Sequence, residues 1–102
     1  MDLQEIRKQL DVIDADLVKL FEERMKLCRS VAEYKIDTGK PVFDGEREKQ
    51  KIESVRALAG EENKQSVEEL FSQIMTLSRR LQYQLLSEKG KGPGFISGRQ
   101  TA

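Results

Sequence analysis

The sequence predicts an all-α protein built from three helices, of which the first is much longer than the other two. Apolar residues recur in a strict heptad over residues 3–38, and neither glycine nor proline interrupts that stretch. Two shorter stretches follow, and each carries apolar residues at helical spacing. The composition agrees with this pattern, because 35% charged and 37% hydrophobic residues favour amphipathic helices over a thick globular core.

The first helix is predicted to begin after a capping box formed by Asp2 and Glu5. It ends before Gly39 and Pro41, which do not continue a helix. At 1.5 Å per residue, residues 3–38 would span roughly 54 Å. The heptad has two sets of positions: Leu3, Leu10, Leu17, Arg24, Val31 and Thr38, and Ile6, Ile13, Leu20, Leu27 and Tyr34.

The second helix is predicted to start at Asp44, an N-cap after the short extended link "KPVFD", and to stop at Gly60. One of its faces carries Glu48, Ile52, Val55 and Ala59. After the polar loop "GEENKQ", a capping box of Ser66 and Glu69 predicts the start of the third helix, which runs to about Glu88. Its apolar face comprises Val67, Leu70, Phe71, Ile74, Leu77, Leu81 and Leu85.

These elements predict one helical domain over residues 1–88 and a glycine-rich, flexible tail over residues 89–102. A helix of roughly 54 Å is longer than a domain of this size, whose radius of gyration would be about 13 Å. Two shorter helices cannot cover its whole apolar stripe, and each Leu or Ile left in water costs roughly 1.5–3 kcal/mol. We therefore expect an intertwined helical homodimer.

Composition also excludes several classes of function. Lys plus Arg equals Asp plus Glu, so the basic excess expected of a nucleic-acid-binding protein is missing. The chain has no histidine, and its single Cys28 permits neither an internal disulfide nor a cysteine-rich metal site. Cys28 lies near the apolar stripe and is predicted to be a buried structural thiol. We expect no membrane segment and a cytoplasmic location.

Several polar residues lie on or beside apolar helix faces, most clearly Arg24, which occupies a core heptad position. Each has a simple structural explanation: a buried cation can set helix register, and flanking cations reach water. Taken together they are three cations, a carboxylate, a hydroxyl and an amide, without the usual nucleophile–base pair. Such a set suits a pocket that holds a small polycarboxylate and stabilises developing charge. Its members are Arg7, Arg24, Lys35, Glu48, Ser78 and Gln82.

The same residues stand in five segments that resemble one family over about residues 3–88. The segments are "IRKQLDVID", "EERMKL", "VAEYK", "PVFDGEREKQ" and "LFSQIMTLSRRLQ". Their charged and polar positions, at these spacings, resemble those of the all-helical chorismate mutases (the AroQ class). That family converts chorismate to prephenate, the branch step towards phenylalanine and tyrosine in the shikimate pathway. The reaction is an intramolecular [3,3] rearrangement that needs no proton transfer, nucleophile, metal or cofactor.

The resemblance implies a role for each site residue. Arg24 and Arg7 would bind the two carboxylates of chorismate, with Arg7 supplied by the partner subunit so that each site is shared across the dimer. Guanidinium suits this task because its planar fork meets a carboxylate in two parallel bonds. Lys35 and Gln82 would donate to the ether oxygen, on which negative charge builds as its bond breaks.

The resemblance also implies contacts from the second and third helices. Glu48 would accept a hydrogen bond from the ring hydroxyl of chorismate, with Asp44 nearby. Arg47 and Ser78 would add contacts to the substrate's carboxylate groups.

Two other functions remain open at the level of the sequence. One is an isochorismate pyruvate lyase, which uses a similar cationic pocket on the same fold; the compact link "TGKPVFDGERE" with Asp44, Arg47 and Glu48 is more similar to the mutases. The other is a non-catalytic helical dimer or regulatory module, which would bury Arg24, Lys35 and Glu48 at a cost without a ligand. Because some proteins of this fold are attached to other enzymes of the pathway, an association with such an enzyme is also left open.

Overall fold

The protein is three α-helices joined by short connections, as its computed structural model describes for residues 1–89. Helix α1 spans Leu3–Thr38, α2 spans Gly45–Leu58 and α3 spans Lys64–Lys89, and a 3₁₀ turn at Glu61–Asn63 precedes α3. No strand occurs within these 89 residues. The prediction of an all-α fold with one long helix and two shorter ones is confirmed.

Both ends of α1 are where the sequence predicts them. The Asp2 side chain accepts a 2.9 Å hydrogen bond from the backbone N–H of Glu5, so it satisfies one of the free donors of the first turn. At the other end Gly39 adopts a left-handed conformation, with φ of 74°, which glycine reaches without strain. The backbone N–H of Lys40 then bonds the carbonyl of Lys35 at 2.9 Å and closes the last turn.

Helix α2 is capped at both ends by side chains. Asp44 accepts a 3.1 Å bond from the backbone N–H of Arg47, which confirms the predicted N-cap. At the C-terminal end, the Lys64 ammonium donates to the carbonyls of Arg56 and Ala59, at 3.0 and 3.2 Å. Because Lys64 is the first residue of α3, these bonds fix the corner between the two helices.

The predicted start of α3, with Ser66 as the N-cap, is three residues too late. The backbone from Gly60 forms a 3₁₀ turn, closed by a 2.9 Å bond from Asn63 N–H to the Gly60 carbonyl, and is already helical at Lys64. Ser66 therefore lies inside the first turn of the helix, where it cannot adopt the extended backbone of an N-cap.

Helix α3 packs against both other helices, and the buried residues lie along these contacts. They are Cys28, Ala32, Val42, Val55, Met75, Ser78, Gln82 and Leu85. On α1 the buried residues begin only at Cys28, whereas every residue of 3–20 is exposed. The molecule extends 61 × 25 × 21 Å. The long dimension agrees with the predicted length of α1, which exceeds the width of the fold.

Two further predictions concern regions or properties outside this packing. The flexible tail was predicted for residues 89–102. Lys89 is the last residue of α3, and residues 90–102 lie outside the described part of the chain. Among the described helices, none combines the length and apolar character needed to cross a membrane.

Candidate active site

A cavity of about 170 Å³ lies where the C-terminal half of α1 meets α2, α3 and the link between α1 and α2. Seven of the eight predicted site residues line it, together with Arg79, which was not predicted, and four uncharged residues. The predicted residues are Arg24, Lys35, Asp44, Arg47, Glu48, Ser78 and Gln82, and the uncharged ones are Cys28, Val31, Val42 and Met75. The packing of the three helices thus brings seven of the eight predicted residues together at one place.

Arg24 enters the cavity from α1 and is held there by neutral partners. Its Nη1 donates to the Ser78 hydroxyl at 3.1 Å and contacts the Cys28 sulfur at 3.6 Å, four residues along the same helix. The Cys28 thiol in turn donates to Ser78 at 3.3 Å. Within the described residues Arg24 forms no ion pair, so its positive charge is available to an anion in the cavity.

Cys28 is buried, as predicted, and it also forms polar contacts. Its sulfur lies on the cavity wall and bonds both Arg24 and Ser78.

Lys35 is oriented by the link that follows its helix. Its ammonium donates a 2.7 Å hydrogen bond to the backbone carbonyl of Val42, a buried residue of the link. An ammonium has three N–H donors, so two remain for other acceptors. Lys35 also forms no ion pair among residues 1–89. The site therefore has a second cation that is positioned without being neutralised.

Glu48 enters from the first turn of α2 and pairs with Arg79 of α3, which the sequence reading missed. Arg79 Nη1 lies 2.5 Å from Glu48 Oε1, and the two side chains are 29% and 22% exposed. The spacing of Met75, Arg79 and Gln82 on α3 was the available signal, because residues three and four apart share a helix face. Arg79 stands beside Arg80, and a pair of arginines is typical of an exposed basic patch, so the sequence alone does not mark Arg79 as a site residue.

Gln82 and Ser78 form the floor of the cavity on α3. They are the only buried polar residues of the described chain, at 8% and 5% exposure. Ser78 is satisfied by Arg24 and Cys28, but Gln82 Oε1 has no hydrogen-bond partner within residues 1–89. Leaving a buried polar atom unpaired costs roughly 1–3 kcal/mol. An amide kept buried at that cost is typical of a site that binds a polar ligand.

The charges around the cavity favour an anion. Four cations and two carboxylates line it, which leaves a net charge of +2. The carboxylates are Asp44 and Glu48, and the cations are Arg24, Lys35, Arg47 and Arg79. No group of three or more Cys, Asp or Glu side chains within residues 1–89 is arranged to hold a metal ion.

Arg7 is the one predicted site residue that the chain does not bring to its own cavity. It is exposed and lies 17 residues before Arg24 on the same straight helix. At 1.5 Å per residue that separation is about 25 Å. Within a single chain Arg7 cannot reach a ligand bound beside Arg24.

Comparison with known proteins agrees with this arrangement of side chains. The sequence profile of the family described as chorismate mutase type II matches residues 6–83, which include every predicted site residue. The chain belongs to the type II chorismate mutase family. That match spans all three helices, and so the resemblance inferred from the five segments is confirmed.

The relatives of the chain include single enzymes and parts of larger ones. It is 40% identical over 91 residues to the chorismate mutase of Methanocaldococcus jannaschii, covering 84% of this chain and 89% of that protein. It is 34% identical over 89 residues to a bifunctional chorismate mutase/prephenate dehydratase of Buchnera aphidicola, covering 85% of this chain but 23% of that protein. A bifunctional enzyme of the same description from Aquifex aeolicus is 35% identical over 57 residues, 56% of this chain and 16% of that protein. No solved structure matches the chain at a significant level.

Proposed function

We propose that this protein is a chorismate mutase, an isomerase that rearranges chorismate to prephenate. Membership of the family and the likeness to the Methanocaldococcus enzyme support the assignment. The observation that carries it at the level of chemistry is the meeting of Lys35 and Gln82, from two different helices, in a cavity with a net charge of +2. A pericyclic rearrangement of a dianion needs a charged pocket of this kind and no nucleophile.

The two carboxylates of chorismate account for the excess positive charge. Arg24 has no ion pair of its own in the described chain, and its orientation is fixed by Ser78. A guanidinium in that state binds a carboxylate through two charge-assisted bonds. Arg47, which lines the cavity from α2, and Ser78 add contacts to the carboxylate groups. Holding both ends of a flexible substrate favours the compact, chair-like conformer that reacts.

Lys35 and Gln82 are the proposed transition-state stabilisers. As the ether bond breaks, negative charge grows on its oxygen, and donors already aimed at that oxygen lower the barrier. The Val42 carbonyl orients the Lys35 ammonium, and burial restricts the Gln82 side chain, so the reorganisation needed during the reaction is reduced. An amide is neutral at ordinary pH and donates without being protonated first, whereas a carboxyl group there would have to be held as the acid.

Glu48 and Asp44 complete the proposed site on the α2 side. The Oε1 atom of Glu48 is bound by Arg79, and Oε2 forms no hydrogen bond within residues 1–89. We assign Oε2 to the ring hydroxyl of chorismate. Asp44 lies one turn before Glu48, where its other task is to cap α2.

The proposal includes an intertwined homodimer in which Arg7 of one copy completes the site of the other. Two features support it: Arg7 is about 25 Å from Arg24 of its own chain, and the apolar stripe around Arg7 is exposed. The exposed residues of that stripe are Leu3, Ile6, Leu10, Ile13, Leu17 and Leu20. A second copy laid along this stripe would bury it and bring a cation from each chain to the other's cavity.

An assay with two substrates tests the function directly. The purified full-length chain is incubated separately with chorismate and with isochorismate, and the products are identified. We expect prephenate from chorismate, detected by the loss of chorismate absorbance. If isochorismate gave salicylate and pyruvate, the protein would be a lyase. If neither substrate reacted, the protein would be a non-catalytic helical dimer.

Subunit mixing tests the shared site. Arg7→Ala and Arg24→Ala proteins are each expected to be nearly inactive. After subunit exchange, a heterodimer contains one cavity that has both arginines, so activity should return to a substantial fraction of wild type. Exchange is checked with subunits that carry different tags. If exchanged heterodimers stay inactive, Arg7 does not act across the interface.

The reaction would serve the synthesis of phenylalanine and tyrosine, since prephenate precedes both. Two relatives carry a prephenate dehydratase on the same chain. We extend the proposal to an association with an enzyme of this kind, which would consume the product. The cytoplasmic location stays a prediction of the sequence.

A further inference from the structure

The ion pair between Arg79 and Glu48 joins α3 to α2 at the wall of the cavity. Both residues line the active-site cavity, and both also line a second cavity. The pair therefore borders both spaces. Its position raises the question whether Arg79 binds substrate itself or acts on Glu48.

The contacts of Arg79 indicate that it acts on Glu48. Its Nη1 donates to Glu48 Oε1, its Nη2 donates to the Thr76 hydroxyl at 3.3 Å, and its guanidinium carbon lies 5.6 Å from the centre of the Phe43 ring. The two hydrogen bonds use one N–H of each terminal nitrogen, and the guanidinium also lies over the Phe43 ring. The charge of Arg79 is already paired with Glu48, in contrast to Arg24, which forms no ion pair within the described residues.

The link before α2 holds the aromatic side of this arrangement. A Cβ atom at Gly45 would lie 3.0 Å from the Phe43 ring, so the ring packs against the bare backbone of the first residue of α2. The link thus positions Lys35 through the Val42 carbonyl and Arg79 through the Phe43 ring.

A second ion pair between α2 and α3 provides the natural comparison. Arg56 and Glu68 are 3.0 Å apart, join the same two helices, and line neither cavity. If Arg79 only held α2 and α3 together, breaking either ion pair should have the same effect on the enzyme's kinetics.

We propose that Arg79 is a positioning residue for substrate binding: it holds one oxygen of Glu48 so that the other faces the ring hydroxyl of the substrate. This inference rests on the proposed chorismate mutase function. It also explains how a carboxylate can line a pocket for a dianion, because Arg79 neutralises Glu48 while leaving Oε2 to accept a hydrogen bond.

Steady-state kinetics of Arg79→Met, with Arg56→Met as the matched control, provide the first test. The ring hydroxyl gains no charge during the reaction, so its contact binds ground state and transition state alike. We expect KM for chorismate to rise roughly tenfold with kcat within about threefold of wild type. Arg79→Lys should recover most of the loss, and Arg56→Met should leave KM unchanged. Equal KM values for the two Met variants would overturn the proposal.

A double-mutant cycle separates positioning from a direct effect of charge. If Arg79 acts through Glu48, Arg79→Met should change KM by less than about twofold in a Glu48→Gln background. If the arginine acts directly on the dianion, the same substitution should raise KM as much in that background as in wild type, and the proposal is wrong. A chorismate analogue with a methylated ring hydroxyl provides a third test. Wild type should have a higher KM for the analogue than for chorismate, and this difference should be much smaller in Arg79→Met.

A crystal structure of Arg79→Met tests positioning without relying on activity. We expect the Glu48 carboxylate to move by more than about 1 Å, enough to lose its contact with the ring hydroxyl. An unmoved Glu48 would refute the inference even if the protein is a mutase. If wild type fails to convert chorismate but Glu48 moves in the variant, the proposed function is wrong and the positioning by Arg79 stands.

Discussion

The two halves of α1 carry one heptad but have different surroundings. In the C-terminal half, α3 covers Cys28 and Ala32 and polar residues line a cavity, although the heptad residues Leu27, Val31 and Tyr34 stay exposed. In the N-terminal half the same spacing continues through residues 3–20, yet every one of these residues is exposed. One helix therefore provides a wall of the cavity in its C-terminal half, and its apolar heptad stripe is uncovered along most of its length.

The difference indicates that the polar interruptions belong to the covered half. Arg24 and Lys35 lie where α3 and the link can orient them through Ser78 and Val42. Arg7 lies in the exposed half, where no other part of the described chain reaches it. A helix that is incomplete at one end and loaded with cations at the other fits a dimer whose subunits complete each other.

The largest effect is expected from a charge on the exposed stripe. Ile13→Asp should prevent the dimer, because a symmetric interface receives the change twice, at a total cost of roughly 3–6 kcal/mol. Mutase activity should be lost with the dimer. Analytical ultracentrifugation measures the mass, and Val12→Asp is the control, since Val12 is 64% exposed and lies off the heptad. If the Ile13→Asp protein were dimeric and active, the exposed stripe would not be the dimer interface.

The next largest effect is expected in the covered half, at Lys35. Lys35→Ala should lower kcat by 10²–10³, or roughly 2.7–4 kcal/mol, because it removes a donor to the ether oxygen. The melting temperature and the dimer mass should not change. Gln82→Ala should act in the same direction for the same reason.

Lys40→Ala controls for the loss of a nearby positive charge. The Lys40 ammonium lies 5.8 Å from the centre of the Tyr34 ring and does not line the cavity. Its loss should leave kcat close to wild type. Wild-type turnover in both Lys35→Ala and Gln82→Ala would show that the assigned roles are wrong.

Arg24→Leu should change activity and stability in opposite directions. The leucine restores the heptad, so we expect the dimer to be as stable as wild type or more stable. Losing a charge-assisted contact to a substrate carboxylate should lower kcat/KM by roughly 10²-fold. Thermal denaturation and chorismate turnover measure the two quantities. A stable and fully active variant would mean that Arg24 only sets helix register.

The smallest effect is expected away from both halves of α1, at the corner between α2 and α3. Lys64→Met removes two hydrogen bonds to the last carbonyls of α2. We expect the free energy of unfolding to fall by about 1 kcal/mol, with kcat unchanged. Denaturant unfolding and the mutase assay measure these quantities. A large loss of kcat here would mean that the corner controls the cavity.

Local patterns in the sequence determined the helices and most of their ends. Asp2, Gly39 and Asp44 act through atoms three or four residues away, so their effects can be read without knowing the fold. The start of α3 was misjudged because two local signals competed, and the 3₁₀ turn after Gly60 made the chain helical before Ser66. The composition of the site was also predictable, since inward-facing polar residues stand out against an apolar period.

Only the tertiary structure decided how the side chains pair. The bonds from Lys35 to Val42, from Arg24 to Ser78 and from Arg79 to Glu48 depend on how three helices pack, and the last two join residues at least 31 positions apart. Arg79 has the same identity and spacing as an exposed arginine, and only contact with Glu48 and Phe43 distinguishes it. Sequence periodicity specifies which face a residue occupies, whereas charge pairing depends on distances of a few ångströms between elements, which packing alone sets.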